Sequence, residues 1–525
     1  MERFLMTSKL ELIALNILQE ELDKNKHTAL KEDELINKLV KITGEEKETL
    51  LKALEDSEII TTRVTSNDEI MRAALKEYTL ENHAAANIDR LQKAFSKKQG
   101  HKKIDHNDLK MQRGVKLSEE QLEAINISLS KGVSVITGGP GTGKTTMVLG
   151  LVRAIKSLNL NVTLCAPTGK AAKRLGEATG LQKFNPSTVH RYLENIKMFD
   201  VLIVDEASML DIDLFQSLLA TIPDGKQLVL IGDKDQLPPV GSGQPFKDII
   251  DFLGWHNDPK GVTGQPNIDG NVNGIISAAY AIKSGRLPDS DFSLDADNFE
   301  FIECEEENIC GRVLEYYFET LPKLLKKDFD EIKDELQILS PQRKGTVGVT
   351  KLNKEIQNRV TRKGQHLYKR EGKDGLELFL RDRVIQTKNS NEPPVMNGEV
   401  GNVLSSNETG LKVLFNKQEF VFDQDSAEDL DLAYCLTVHK SQGSEYAGVI
   451  IPVTSEHDFM LERDLIYTAV TRGKKKVCLI GNKDTFKNAL KKKKYRYTGF
   501  KLELDKKTSS KEIGFSRLTQ IFRQA

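Results

Sequence analysis

Apolar residues recur three and four positions apart at the start of the chain, at Leu10, Ile13, Ala14 and Ile17, then at Leu35, Ile36 and Leu39, then at Leu50, Leu51 and Leu54. Residues so spaced share one face of a helix, so three short helices are predicted, each with one buried stripe. The period changes at Ile59-Ile-Thr-Thr-Arg-Val64, a β-branched run that ends in the turn-like Ser66-Asn-Asp68. Residues 1–85 therefore read as a small helical, winged-helix-like module. Residues 86–114 are expected to be a linker, because large hydrophobic residues are scarce from Ser96 to Gly114.

Beyond residue 115, short uninterrupted apolar runs alternate with helical stretches: Val133-Ser-Val-Ile136, Val162-Thr-Leu-Cys165, Val201-Leu-Ile-Val204 and Leu228-Val-Leu-Ile231. Strands of this kind are buried on both faces, which predicts a parallel sheet in an α/β domain over 115–275. A second set at Ile338-Leu339, Leu432-Ala-Tyr-Cys-Leu436, Gly448-Val-Ile-Ile-Pro452 and Lys476-Val-Cys-Leu-Ile480 predicts another α/β domain over 276–387 and 433–508. Between its halves, Asn397-Gly-Glu-Val-Gly-Asn-Val403 and Leu411-Lys-Val-Leu-Phe415 alternate around Asn407-Glu-Thr-Gly410, so 388–432 is expected to be a small inserted β-barrel. Residues 509–525 are left as a tail.

A length of 525 residues agrees with several domains, and 38% hydrophobic with 29% charged residues describes a globular chain. Met1–Glu20 mixes charges among its apolar residues, so neither a signal peptide nor a membrane span is expected, and the cytoplasm is the expected compartment. Cys165, Cys304, Cys310, Cys435 and Cys478 are odd in number and scattered, which predicts buried thiols rather than disulfides or zinc. The net charge of −1 argues for no polyanionic partner, but from Lys487 onward twelve Lys or Arg face three acids, with Lys491-Lys-Lys-Lys494-Tyr-Arg496-Tyr at the centre. That run is either a solvated tail or a phosphate-contacting surface.

Gly138-Gly-Pro-Gly-Thr-Gly-Lys144-Thr145 follows a predicted strand and opens a predicted helix through Met147, Leu149 and Leu151, the context a phosphate-binding loop requires. Backbone N–H groups from Gly139, Pro140's neighbours, Gly141, Thr142 and Gly143 through to Thr146 can converge on the phosphates of ATP; Lys144 meets the β- and γ-phosphates and Thr145 can ligate Mg²⁺. Val201-Leu-Ile-Val-Asp205-Glu206 ends a buried strand in two carboxylates, one able to organise Mg²⁺, a role given to Asp205, and the other able to activate water.

At these residues the chain resembles the RecD-like helicases of superfamily 1, over about residues 30–505. The resemblance implies two RecA-like domains with ATP between them, and an SH3-like character for the inserted barrel. Leu117-Ser-Glu-Glu-Gln121 is similar to the motif whose glutamine reads adenine, here Gln121. Pro167, Thr168 and Lys170 resemble motif Ia, and Thr188 with His190 motif Ib, both of which hold single-stranded DNA. Gly232-Asp233-Lys-Asp235-Gln236 resembles motif III, with Gln236 sensing the γ-phosphate. Thr437-Val-His439-Lys440-Ser441-Gln-Gly-Ser-Glu445 resembles motif V, implying DNA contacts at Thr437, His439 and Lys440 and a nucleotide contact at Glu445. Tyr467-Thr-Ala-Val-Thr471-Arg472 resembles motif VI, whose arginine finger falls on Arg472. A DNA motor moving 5′ to 3′ in repair or recombination is implied. A motor subunit beside a nuclease or recombination partner, and an RNA helicase of the same superfamily, remain alternatives.

Two departures stand out. Only ten residues, Arg191 to Asp200, separate motif Ib from the next strand, where the family carries a strand-separating pin. Motif IV is absent after motif III, yet Leu518-Thr-Gln-Ile-Phe-Arg523-Gln-Ala525 resembles it. The tail is expected to fold back, in cis or from a neighbouring copy, and bring Arg523 to the cleft beside Arg472, with Arg343 the weaker candidate.

Overall fold

The computed structural model describes residues 2–65, 69–97, 117–180, 186–253, 274–288, 298–361, 365–370, 375–390, 392–408, 410–508 and 513–517. Helices α1 (Glu2–Asn25), α2 (Glu32–Thr43) and α3 (Lys47–Glu55) form around the predicted stripes, and Ala14, Leu35, Leu39, Leu50 and Leu54 meet in one core. Strands β1 (Leu30–Lys31), β2 (Ile60–Val64) and β3 (Ile70–Ala74) form an antiparallel sheet in the order β1-β3-β2. The stretch expected as linker begins instead as helix α4 (Leu75–Lys97), whose Ala84, Ala85, Ile88 and Leu91 enter the core of the first α/β domain. A face half built of alanines carries too little hydrophobic contrast to mark a helix in sequence.

The first α/β domain runs through α5 (Glu119–Ser130), β4 (Val133–Thr137), α6 (Lys144–Ser157), β5 (Val162–Ala166), α7 (Gly169–Thr179), β6 (Ser187–Thr188), α8 (Val189–Glu194), β7 (Val201–Val204), α9 (Ile212–Ala220), β8 (Gln227–Gly232) and α10 (Pro245–Phe252). Both faces of its sheet are apolar, as the unbroken runs require. Leu202, Val204, Leu228 and Leu230 point toward α4 and α9, whereas Val201, Ile203, Val229 and Ile231 point toward α5 and α6.

The second domain contains α11 (Gly274–Lys283), β9 (Phe299–Glu303), β10 (Leu336–Ser340) and α12 (Val349–Val360). A hairpin of β11 (His366–Lys369) and β12 (Glu377–Phe379) follows, then β13 (Arg383–Gln386), β14 (Val400–Asn407), β15 (Gly410–Phe415), β16 (Gln418–Phe422) and β17 (Leu430–Leu432). These last five form one antiparallel sheet, order β16-β15-β14-β13-β17. The inserted sheet thus starts before residue 388, because β13 lies between β14 and β17 and cannot be assigned to the flanking domain. Strands β18 (Cys435–Thr437), β19 (Tyr446–Val453) and β20 (Gly473–Gly481), with helix α13 (Arg463–Val470), complete a parallel sheet in the order β18-β10-β19-β20-β9.

After α14 (Lys483–Lys491) the chain leaves this domain and returns to the first. Arg496 Nη1 donates to Gly241 O at 2.8 Å and Gly243 O at 2.7 Å, and its Nη2 to Pro239 O at 2.7 Å. Helix α15 (Phe500–Lys507) then packs Phe500 edge-on against Phe215, ring centroids 5.9 Å apart. Finally β21 (Gly514–Arg517) pairs in parallel with β4, Gly514 opposite Ser134 and Arg517 opposite Thr137. The first sheet is therefore all parallel in the order β21-β4-β8-β7-β5-β6, and part of the expected tail is one of its strands.

The crossover is anchored by polar groups. Glu81 accepts from Gly499 N at 3.1 Å and from Thr28 Oγ1 and Arg63, all buried. Nearby, Gln244 Nε2 donates to Asp248 Oδ1 at 3.2 Å, and burial pushes the Asp248 carboxyl up to about 7, with a hydrogen bond from Thr498 opposing it. A carboxyl raised in the folded state contributes stability below its ordinary value of 3.8 and loses it as pH rises through about 7. Asp248→Asn should thus melt at higher temperature than the parent at about pH 8.5, with the difference shrinking as pH falls and vanishing only below about pH 3.8. The displacement bounds the gain at ~4 kcal/mol; equal melting temperatures at about pH 8.5 would refute it.

Three of the five thiols, Cys165, Cys435 and Cys478, are buried as expected, but Cys304 and Cys310 are partly exposed. Among the described residues no helix is long and apolar enough to cross a membrane.

Candidate active site

Strand β4 feeds the glycine loop, and Gly143 caps helix α6 with φ 73°, matched by φ 72° at Gly141. L side chains seldom adopt that conformation, so the glycines let the backbone curl around a phosphate-sized space. Lys144 Nζ donates to Gly138 O at 2.6 Å and Gly139 O at 2.9 Å, which tucks its ammonium inside the loop. Gln121, expected to read adenine, is engaged elsewhere. Its Oε1 accepts from Ser118 N at 3.0 Å in a capping box, and its Nε2 donates to Gly143 O at 3.2 Å. It is buried and braces the loop, because a glutamine three positions after a serine N-cap is ideally placed to bond back to the cap.

A cleft of about 350 Å³ opens beside the loop, lined by Gly139 through Thr145, Asp205, Glu206 and Gln236 from the first domain and by Glu445, Thr471 and Arg472 from the second. Thr146 lies one position beyond this lining. Asp205 Oδ1 accepts from Glu206 N at 2.9 Å, and Glu206 itself holds φ 53°, a strained conformation for a residue with a side chain. Burial pushes the Asp205 carboxyl up to about 6; the Glu206 carboxylate adds to this and the Lys144 ammonium opposes it. Glu206 Oε2 and Gln236 Oε1 are buried with no hydrogen-bond partner among the described residues. Such orphaned acceptors suit a site that takes in a polar ligand and water. The residues present also fit Mg²⁺: a hydroxyl at Thr145 and a carboxylate at Asp205 line one cleft, the sparse oxygen set that Mg²⁺ takes together with phosphate oxygens and water.

The opposite wall belongs to β19, β20 and α13. Arg472 is 3% exposed; its Nε donates to Thr468 O at 3.1 Å, Nη1 to Ser444 O at 3.3 Å and Nη2 to Thr471 Oγ1 at 3.1 Å. Glu445, expected to touch nucleotide, accepts ion pairs from Arg174 on α7 and from Lys474 Nζ at 2.8 Å on β20. Burial works against its charge, yet these two cations hold its carboxyl below the ordinary value. Sequence reading missed Arg174, which enters the cleft from α7 one turn beyond the motif Ia residues that open that helix.

Asp233 to Leu237 bridge the walls. Tyr467 Oη donates to Asp233 Oδ2 at 2.9 Å, Leu237 N to Thr468 Oγ1 at 2.8 Å, and Gln442 Nε2 to Leu237 O at 3.4 Å. A Cβ on Gly139 would come within 3.2 Å of Tyr467 Oη, so α13 also sits against the phosphate loop. Any shift of α13 is therefore felt at Gln236, within the same short segment.

The candidate strand-contacting residues lie at the C-terminal ends of parallel strands: Pro167, Thr168 and Lys170 after β5, Thr188 as the last residue of β6 with His190 beyond it, and Thr437 as the last residue of β18 with His439 and Lys440 beyond it. Thr168 and Thr188 cap α7 and α8, accepting from Ala171 N and Arg191 N at 3.2 Å each, and Thr437 Oγ1 accepts from Lys440 N at 3.3 Å. Lys170 Nζ lies 5.2 Å over the Tyr446 ring, and His190 is exposed. Arg343 leaves the C-terminal end of β10 and pairs with Asp431 at 3.4 Å, outside the cleft lining. Leu518–Ala525, with Arg523, lie outside the described residues.

Residues 116–256 match the family described as AAA domain, and residues 432–480 the UvrD-like helicase C-terminal domain. Across 371 residues, 68% of this chain, the sequence is 35% identical to the ATP-dependent RecD2 DNA helicase of Deinococcus radiodurans. Over most of its length the chain is similar to the RecD-like helicases of superfamily 1. It spans 48% of that relative's length, and 75% of the RecBCD enzyme subunit RecD of Mycolicibacterium smegmatis, to which it is 28% identical over 428 residues. A crystal structure of Pif1 helicase from Bacteroides with ADP-AlF3 and ssDNA covers 71% of this RecD-like chain and 94% of its own, at 18% identity and a TM-score of 0.43.

Proposed function

We propose that this RecD-like chain is an ATP hydrolase that drives movement along single-stranded DNA, 5′ to 3′, and so acts as a DNA helicase in repair or recombination in the cytoplasm. The observation that carries this is the bridge from Gln236's segment to Tyr467 and Thr468: one short stretch touches both the cleft and the other domain. Lys144 and the loop N–H groups hold the phosphates, Glu206 orients and deprotonates water, and Arg472 stabilises charge on the γ-phosphate when the walls approach. Mg²⁺, held by Thr145 and Asp205, supplies neutralisation of phosphate charge. To reach the phosphates, Arg472 exchanges the carbonyls it now holds for phosphate oxygens, which couples hydrolysis to closure.

We assign Pro167, Thr168, Lys170, Thr188 and His190 to one strand-gripping set and Thr437, His439 and Lys440 to the other. For the threonines, backbone capping leaves their hydroxyls to orient the loop while neighbouring N–H groups meet phosphate. The three-helix module with its three-stranded sheet is assigned as winged-helix-like, and the antiparallel sheet from β13 to β17 as SH3-like. Support for Arg523 as a further cleft arginine comes from register: β21 ends at Arg517 opposite Thr137, one residue before the phosphate loop.

A second reading, a motor subunit whose nuclease or recombination partner supplies strand separation, is favoured by the segment from His190 to Asp205, where only α8 and a loop precede β7. Unwinding assays on duplexes with 5′ or 3′ single-stranded tails separate the readings. Unwinding of the 5′-tailed substrate that vanishes in Lys144→Ala is expected; unwinding that persists in Lys144→Ala defeats the proposal. DNA-stimulated ATPase without unwinding assigns the chain to the subunit reading, and stronger stimulation by RNA reassigns the substrate.

A further inference from the structure

The run Lys491-Lys-Lys-Lys494-Tyr-Arg496 is not a free tail. Lys492 Nζ pairs with Asp458 Oδ1 at 2.6 Å and donates to Asp458 O at 2.8 Å, and Lys494 lies 3.8 Å from Glu462. These contacts lay the run against the loop that leaves the C-terminal end of β19. Two aromatic rings stand out from the junction. Phe459 is 85% exposed with Lys494 Nζ 5.5 Å from its centroid, and Tyr495 is 66% exposed with Lys493 Nζ 5.5 Å from its centroid.

The position of this junction follows from the sheet. β10, β18 and β19 are parallel, so the loop bearing Phe459 and the segment Thr437–Lys440 leave the same edge. Lys494 and Arg496 are the cations that, after burial, bear on the His439 imidazole. Arg496 is also fixed to Pro239, Gly241 and Gly243 of the first domain. The lysine–aromatic junction is thus continuous with the proposed strand-gripping set around His439 and lies where the chain crosses between domains.

Exposed rings flanked by ammonium groups match the two halves of a nucleotide: a base stacks on the ring and its phosphate meets the lysine. We propose that Phe459 and Tyr495, with Lys493 and Lys494, form a stacking and phosphate-contacting patch that extends the single-stranded DNA track beyond His439. This rests on the strand-tracking reading above. Neither ring supports the core, so Phe459→Ala/Tyr495→Ala folds with the parent's melting temperature. Lys493→Glu/Lys494→Glu tests the phosphate half.

Binding of fluorescent oligonucleotides of graded length to the full chain, read by anisotropy, is the test. For long strands the aromatic double variant should bind about tenfold more weakly, and the same change should disappear when the oligonucleotide is abasic. The lysine double variant should weaken both kinds of strand and flatten the salt dependence by about two phosphate contacts. ATPase without DNA should be unchanged in both, since neither pair lines the cleft. Affinity within twofold of the parent for both variants, while His439→Ala binds weakly, overturns the patch and leaves the track intact. Failure of the parent itself to bind single strands overturns the underlying reading. A loss confined to substrates with a duplex ahead of the strand reassigns the patch to duplex DNA and overturns it for the single strand.

Discussion

Arg472→Ala should lower DNA-stimulated ATP turnover by about a thousandfold or more, while ATP binding changes by no more than severalfold. The guanidinium is 3% exposed and held by Thr468 O, Ser444 O and Thr471 Oγ1, so it is parked at the cleft without needing the nucleotide to fold. It belongs to the wall opposite Lys144, and its interaction with the γ-phosphate grows only as the walls approach. An interaction made chiefly in the transition state appears in kcat rather than in binding. Lys144→Ala, by contrast, should weaken both. Arg523→Ala gives the informative comparison. A loss approaching that of Arg472→Ala places a second arginine at the phosphates, whereas parent-like turnover removes Arg523 from the chemistry. Steady-state ATPase with saturating oligonucleotide, alongside binding of a fluorescent nucleotide, reads all three.

Glu81→Ala should destabilise the protein by ~3–5 kcal/mol, an effect as large as any single change outside the cleft. The Arg63 guanidinium is 1% exposed, its main counter-ion is Glu81, and Glu503 Oε1 approaches its Nε only to 3.4 Å. Removing Glu81 leaves a buried cation and also frees Gly499 N and Thr28 Oγ1. The same site forbids bulk: a Cβ on Gly499 would fall 1.2 Å from Arg63 Nη1, so Gly499→Ala should be comparably damaging. In a protein of several domains one unfolding midpoint is not enough. The expected signature is an early transition in denaturant that involves α1–α4 and α15 together, followed by limited proteolysis. A single transition at the parent's midpoint would sink the idea.

The parallel strands β4, β5, β7, β8 and β19 were legible because each is a short, largely apolar run; β7 spans Val201–Val204, the residues its sequence marked. The phosphate loop and Asp205-Glu206 were legible for the same reason, since strand ends fix where loops carry chemistry. What escaped reading depended on distance along the chain. Gln121 has a motif's spacing, but whether its amide turns to a base or to Gly143 O is decided by packing. The partnership of Tyr467 with Asp233, or of Arg174 with Glu445, joins residues more than two hundred positions apart with no local trace. Strand β21 is four residues long without an apolar run, and only its pairing with β4 makes it a strand.

That pairing has a consequence for how the protein is made. One edge of β4 is covered only by β21, which is synthesised after every other described strand. Until β21 emerges, the strand that carries the phosphate loop presents an open edge of N–H and C=O groups along Ser134-Val-Ile-Thr137, a template that other chains can join. Folding in the order of synthesis is therefore closed to the nucleotide-binding sheet. It closes only after the described strands of the second domain are made, by a contact of very long sequence separation, and its yield in the cell should depend on chaperones that shield nascent edges.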